Sequence, residues 1–218
     1  MRIGVRGHDY GTTTATELAR RISEAGFSCL QLALHKAIEG VQPEYGRLNP
    51  GFCYDVRRAF EDRHLEVAVL GCYIDPASLD EEKRLYDVKR FREQVAYCRQ
   101  LGSNIVATET SSYQGDEAGR EAQFARLTDS VLRMVEQAER FGVFVGIEPV
   151  HVHTLNTPAL TRRLLDIVAC DILQIVLDPI NLLSPQTIDR QREIIDECLA
   201  LFGEIGRASC RERVSDLV

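Results

Sequence analysis

Short apolar runs alternate with longer, mostly glycine-terminated segments along this chain. That alternation restricts the fold more than any other feature. Strands are expected at 2–5, 28–34, 66–70, 104–107, 143–147 and 173–177. Helices are expected at 13–25, 51–63, 80–101, 116–141, 158–168 and 187–202. Gly26, Gly102, Gly142 and Gly203 follow helical segments, where glycine takes the left-handed conformation that closes a helix. Threonines ahead of the first helix supply a cap. Thr157 followed by Pro158 reads as an N-cap and first helical residue. Six βα units in series imply an α/β fold with a parallel sheet and right-handed crossovers.

Two architectures satisfy that order, an open doubly wound sheet and a (βα)8 TIM barrel. No strand leads into GxGxxG or GxxxxGK[ST], which counts against the nucleotide-binding open sheets. Polar residues gather at the C-terminal ends of nearly every strand, where a barrel collects its catalytic groups. A complete barrel takes roughly 250 residues. Six units ending near residue 203 therefore read as an incomplete barrel, spanning 1–205. From Gly206 the chain loses apolar periodicity, and Gly206 to Val214 match a translated sequencing adaptor. Residues 206–218 are thus expected to be a non-native tail, excluded from fold reasoning.

The net charge of -7 argues against nucleic-acid binding through a basic surface. No apolar run approaches a membrane span, and no signal peptide opens the chain. The 7 cysteines contain no CxxC pair and sit mostly in apolar patterns, so they read as reduced thiols of a cytoplasmic protein. Cys72 stands apart because it falls at a strand end.

Two strand-end carboxylates carry the functional reading. Glu148 ends Val-Phe-Val-Gly-Ile-Glu, and Asp178 follows Leu-Gln-Ile-Val-Leu; each precedes a proline. One βαβ unit separates them, which brings both to the same end of neighbouring strands. Converging carboxylates suit a divalent cation, because hard cations take oxygen ligands. The alternatives are a salt bridge for Glu148 and a turn-forming role for Asp178. His151 and His153 flank Val152 in the loop after Glu148 and are candidates for substrate contact or metal ligation. His8 is a candidate for the pocket wall. Glu109 is a candidate for pairing with a cation or holding sugar hydroxyls. His35 and Lys36 are candidates for holding a substrate oxygen or phosphate. His64 is expected at the surface of the opposite end.

Several segments resemble the xylose isomerase-like barrel superfamily, and within it the sugar phosphate isomerase/epimerase group. They are Arg2-Ile-Gly-Val-Arg-Gly-His-Asp, Ala25-Gly-Phe, Thr108-Glu-Thr, Gly146-Ile-Glu-Pro-Val and Leu177-Asp-Pro-Ile-Asn-Leu-Leu. The last two are the most specific. The resemblance implies a divalent metal (Mn, Co, Mg or Zn) at the barrel mouth, with Glu148 as the fifth-strand ligand and Asp178 as the sixth-strand ligand. It implies isomerisation or epimerisation of a small sugar, sugar phosphate or keto-polyol through an enediolate, with Glu148 also the base. The family's seventh-strand His and eighth-strand Glu have no counterpart here, so this chain is expected to be inactive by itself. Asn181 stands where some epimerases carry a His, and is a candidate substrate contact. Alternatives are an inosose-type dehydratase, an abasic-site endonuclease relative, and a barrel that binds a ligand without turnover. A full-length homo-oligomer is the expected assembly.

Overall fold

The computed structural model describes residues 2–113 and 115–202. Six strands form one parallel sheet in sequential order. They are β1 (Gly4–Arg6), β2 (Cys29–Leu32), β3 (Glu66–Gly71), β4 (Ile105–Glu109), β5 (Phe144–Glu148) and β6 (Leu173–Ile175). The helices are α1 (Ala15–Glu24), α2 (Leu34–Ala37), α3 (Pro50–Glu61), α4 (Glu81–Tyr97), α5 (Glu117–Phe141), α6 (Pro158–Val168) and α7 (Gln191–Phe202). Each strand leads into at least one helix, giving the six βα units expected. The α/β TIM-barrel class is correct. β1 and β6 lie at the two ends of the strand order.

Local chemistry sets the boundaries. Side chains of Thr14, Asn49, Asp80, Asp116 and Thr157 each accept a backbone N–H in the first turn of the helix they precede. Gly142 closes α5 in the left-handed region, at φ 61°. Most boundaries shift by a few residues, as where the helix expected over 80–101 is Glu81–Tyr97, and two shifts shape the mouth. The second strand ends at Leu32 rather than Leu34, because Leu34 and Ala37 bury themselves in the short helix α2. The sixth strand ends at Ile175, and residues beyond it turn into a 3-10 segment at Pro179–Leu182. The expected tail 206–218, with Cys210, lies outside the described residues.

Alternation along each strand separates two faces. Leu30, Leu32, Val106, Val145, Ile147, Leu173 and Ile175 belong to the large core shared with the helices. Val69, Ile105 and Ala107 form a separate small cluster, joined by Val176, on the inner face. The β2–β3 register slips between Leu30 and Gln31, pairing Leu30 with Val67 but Gln31 with Val69. Ala68 is the extra residue, and this bulge keeps inner faces inner on both strands. Among the described residues, no helix is long and apolar enough to cross a membrane.

Candidate active site

Strand parity delivers the last inner-face position of each strand to one mouth. Arg6, Gln31, Glu109 and Glu148 follow directly from the alternation above, and Tyr73 continues the inner face of β3 two residues past Gly71. Glu109 and Glu148 are register partners at the ends of β4 and β5. Their carboxyls are therefore neighbours on one face, close enough for each charge to act on the other.

Glu148 is half-buried, and its Oε1 accepts a 2.7 Å hydrogen bond from Asn181 Nδ2. Burial pushes its carboxyl up to about 7, reinforced by the Glu109 and Asp178 charges, while the Asn181 bond and Arg6 pull the other way. Asp178 caps the 3-10 segment, its Oδ1 accepting from Ile180 N at 3.1 Å. The turn-forming role therefore applies to one oxygen of Asp178. The side chain still contributes to the field at Glu148. The cap also places Asn181 opposite Glu148 across the β5–β6 junction.

The loop after β5 is braced from both sides. His151 N donates to Asn181 O at 2.7 Å, and the His151 ring Nδ1 lies 3.2 Å from the same oxygen. His151 thus contacts the Asn181 backbone. Thr154 binds Ser111 O through both its N–H and its hydroxyl. Arg120 Nη1 donates to His153 O at 2.7 Å. This frame holds His153 Nε2 at 3.9 Å from Glu109 Oε2, while its Nδ1 is buried without a partner among the described residues. Burial lowers the His153 pKa, and Glu109 opposes that shift.

The other side of the mouth is built on Tyr73. Gln31 Nε2 donates to its hydroxyl at 3.3 Å, and Lys36 Nζ sits 3.5 Å from its ring centroid. His8 packs edge-on against the same ring, with centroids 6.3 Å apart. Burial, then the Glu148 and Glu109 charges, push the Tyr73 phenol up to about 12. His8 and Tyr73 thereby connect the β1 side of the mouth to the carboxylates of β4 and β5.

Sequence reasoning placed Glu148, Glu109, Asn181, His151 and His153 in one neighbourhood, and the structure brings them together. Tyr73 stands at a strand end, two residues past Gly71, but its place beside His8, Gln31 and Lys36 was not read from the sequence. The bracing by Ser111, Thr154 and Arg120 had no sequence signal, since it joins residues 33 to 43 positions apart. Cys72 is buried, and burial pushes its thiol up to about 12, which leaves it unreactive. His64 is exposed, as expected, at the end opposite the mouth.

Among the described residues, no three His, Cys, Asp or Glu side chains group as a metal site. The donor chemistry nevertheless fits a hard cation: oxygen donors from Glu148 and Asp178 repel each other, and a cation between them relieves that repulsion. A two-carboxylate site with its remaining positions taken by water or substrate oxygens is a known arrangement for Mg²⁺.

The sequence profile of the family described as xylose isomerase-like TIM barrel matches residues 19–205. The fold is similar to a crystal structure of D-psicose 3-epimerase in the presence of D-fructose, with TM-score 0.72 and 15% identity over 93% of this chain and 71% of that one. A D-tagatose 3-epimerase-like protein gives TM-score 0.70 and 18% identity over 95% of this chain and 73% of that one. A xylose isomerase-like TIM barrel protein from Mycobacterium smegmatis in complex with magnesium gives TM-score 0.66 and 16% identity over 91% of this chain and 71% of that one. No curated protein sequence matches the chain.

Proposed function

The chain belongs to the xylose isomerase-like TIM barrel family, and on that premise we propose that its site is that of an isomerase or epimerase of a small sugar, sugar phosphate or keto-polyol, with this chain alone, which has no counterpart of the seventh-strand His and eighth-strand Glu, expected to be inactive. The observation that carries this reading is the Glu148 carboxyl. It is fixed by Asn181 at the mouth beside Glu109 and Asp178, and without a cation its burial raises it to about 7.

Glu148 removes the proton from the carbon beside the substrate carbonyl and leaves an enediolate. Asn181 occupies Oε1, so Oε2 is the oxygen free to face that carbon. Glu109, His151 and His153 stand around the same space and orient the sugar hydroxyls. His8 lines the wall beyond Tyr73. Glu148 and Asp178 hold a divalent cation (Mn, Co, Mg or Zn), which supplies charge stabilisation to the substrate oxygens when bound. Support for a metal comes from the oxygen donor set and from the magnesium complex of the Mycobacterium smegmatis protein. Support for sugar chemistry comes from the similarity in fold to D-psicose 3-epimerase and to the D-tagatose 3-epimerase-like protein. The partner is a small molecule rather than nucleic acid, and the compartment is the reducing cytoplasm.

The test is deuterium exchange from D₂O into the carbon next to the carbonyl of a panel of ketoses, followed by NMR with Mn²⁺ or Mg²⁺ present, on a full-length protein that carries the seventh- and eighth-strand residues. Exchange that disappears in Glu148→Gln supports the reading. Metal binding without exchange on a broad panel overturns it in favour of an inosose-type dehydratase or a barrel that binds without turnover.

A further inference from the structure

The Tyr73 ring is fixed at the mouth from several sides. Gly71 leaves room for it: a Cβ there would lie 3.2 Å from Tyr73 Cε2 and 3.5 Å from Gln31 Nε2. The Lys36 ammonium covers the ring face, and the His8 ring meets it edge-on. Gln31 Nε2 donates to the hydroxyl oxygen at 3.3 Å. Groups from the first three βα units thus set the position of one phenol.

The direction of its hydrogen follows from the same contacts. Gln31 gives its own N–H to the Tyr73 oxygen, so the phenolic proton points elsewhere. Among the described residues, no acceptor takes that proton. The neighbours on this side do not compete for it. Lys36 has donors only, Arg6 Nε is bound to Asp9 at 3.1 Å, and burial, then Lys36, lower the His8 pKa. The Tyr73 oxygen lies within the field of Glu148 and Glu109, and burial with those charges pushes the phenol up to about 12. It therefore keeps its hydrogen wherever Glu148 is ionised and ready to act as a base. Across the mouth, Glu109 and Glu148 offer carboxylate acceptors. A carbonyl substrate between the two sides needs a donor where negative charge builds, and a fixed donor does this without reorganising.

We infer that Tyr73 is a further catalytic residue of the proposed reaction, its hydroxyl donating to the substrate carbonyl oxygen as the enediolate forms. This rests on the isomerase reading above and deepens it. Glu148 Oε2 takes the proton from the carbon next to the carbonyl. The C–H electron pair becomes the new C=C bond, and the carbonyl π pair moves onto oxygen. Tyr73 holds that oxygen by a hydrogen bond and keeps its own proton, so no further reactant is required.

The experiment compares the parent with Tyr73→Phe, in the full-length protein that carries the seventh- and eighth-strand residues and with Mn²⁺ present. Phenylalanine keeps the ring against Gly71, Lys36 and His8, and melting curves establish that the variant folds. Losing one donor to a developing oxyanion costs about 10²–10³ in kcat, so deuterium exchange is expected to slow about 100-fold with KM within about threefold. Calorimetry supplies a second readout. D-threonohydroxamate, a planar mimic of an enediolate, is expected to bind Tyr73→Phe about tenfold or more weakly, while D-fructose binds within about twofold of the parent. Exchange within about threefold of the parent, or equal weakening of D-fructose and the hydroxamate, overturns the inference. If the parent exchanges deuterium and Tyr73→Phe does so equally, the donor role falls and the isomerase reading stands. If no ketose exchanges and hydroxamate binding still depends on the Tyr73 hydroxyl, the donor role stands and the isomerase reading falls. No exchange together with hydroxamate binding that ignores Tyr73 overturns both.

Discussion

Asn181 Nδ2 donates to Glu148 Oε1 at 2.7 Å, joining the 3-10 segment after β6 to the end of β5. The bond favours the ionised carboxyl against burial and two neighbouring acids. Asn181→Ala removes it, so the Glu148 pKa rises further above about 7. A hydrogen bond to a charged group is worth about 1.5–3 kcal/mol, so the exchange rate at neutral pH is expected to fall by roughly tenfold or more. The pH-rate profile should shift to higher pH. An unshifted profile excludes Asn181 as the group that tunes Glu148.

The same carboxyl makes stability depend on pH. The unfolded chain ionises such a group near 4.3, whereas the folded protein keeps the proton to about 7. The group therefore favours folding fully below the unfolded pKa, and that contribution is lost as pH rises through about 7. The loss is on the order of 3 kcal/mol. Glu148→Gln is expected to melt about 5–10 °C above the parent chain at pH 8 and within a degree or so at pH 4. Parallel melting curves across that range would refute the assignment.

Much of this was legible in the sequence because it rests on local pattern. Helix caps at Thr157, glycine stops such as Gly142, and apolar alternation in β4 and β5 all act within a few residues. The strand-end positions of Glu148 and Asp178 were legible for the same reason, since a carboxylate following a Val/Ile run is a local signal. The Ala68 bulge was not legible. It depends on how β3 registers against β2, and that register sets the face on which Tyr73 emerges. The Asn181 bond and the Ser111–Thr154 brace were hidden too, because each joins side chains from different loops. The early end of the second strand reflects burial of Leu34 and Ala37 overriding a β-like run.

Gly146 marks where the inner layer is tightest. A Cβ there would lie 3.0 Å from both Ala107 Cβ and Val176 Cγ2. Overpacking of this kind costs about 1–3 kcal/mol, against about 0.4–1 kcal/mol gained from a stiffer unfolded chain. Gly146→Ala is therefore expected to lower the melting temperature, and Val176→Ala added to it should recover part of the loss. If the double variant is less stable by the sum of the two single changes, the contact is not the cause.

β1 and β6 end the strand order, and among the described residues neither outer edge has a strand partner. Parallel edges left open template pairing with other chains. The 218-residue chain is expected to self-associate as concentration rises, measured by sedimentation velocity. A single monomeric species with a sharp, reversible unfolding transition would count against this.

Metal binding provides the last discrimination, because it opposes the proton at the same atoms. Glu148 must ionise to hold a cation, so binding releases a proton and weakens as pH falls below about 7. A ligand at 100 times its Kd stabilises a folded protein by about 2.7 kcal/mol. Saturating Mn²⁺ is therefore expected to raise the melting temperature by several degrees at pH 8 and by much less at pH 5. Both Glu148→Gln and Asp178→Asn should abolish the rise. The Asp178 variant carries an extra check: an asparagine oxygen still accepts the Ile180 N–H, so the 3-10 cap survives and any loss of response belongs to the cation. A rise of equal size at both pH values, or one retained in both variants, would place the cation elsewhere on the chain.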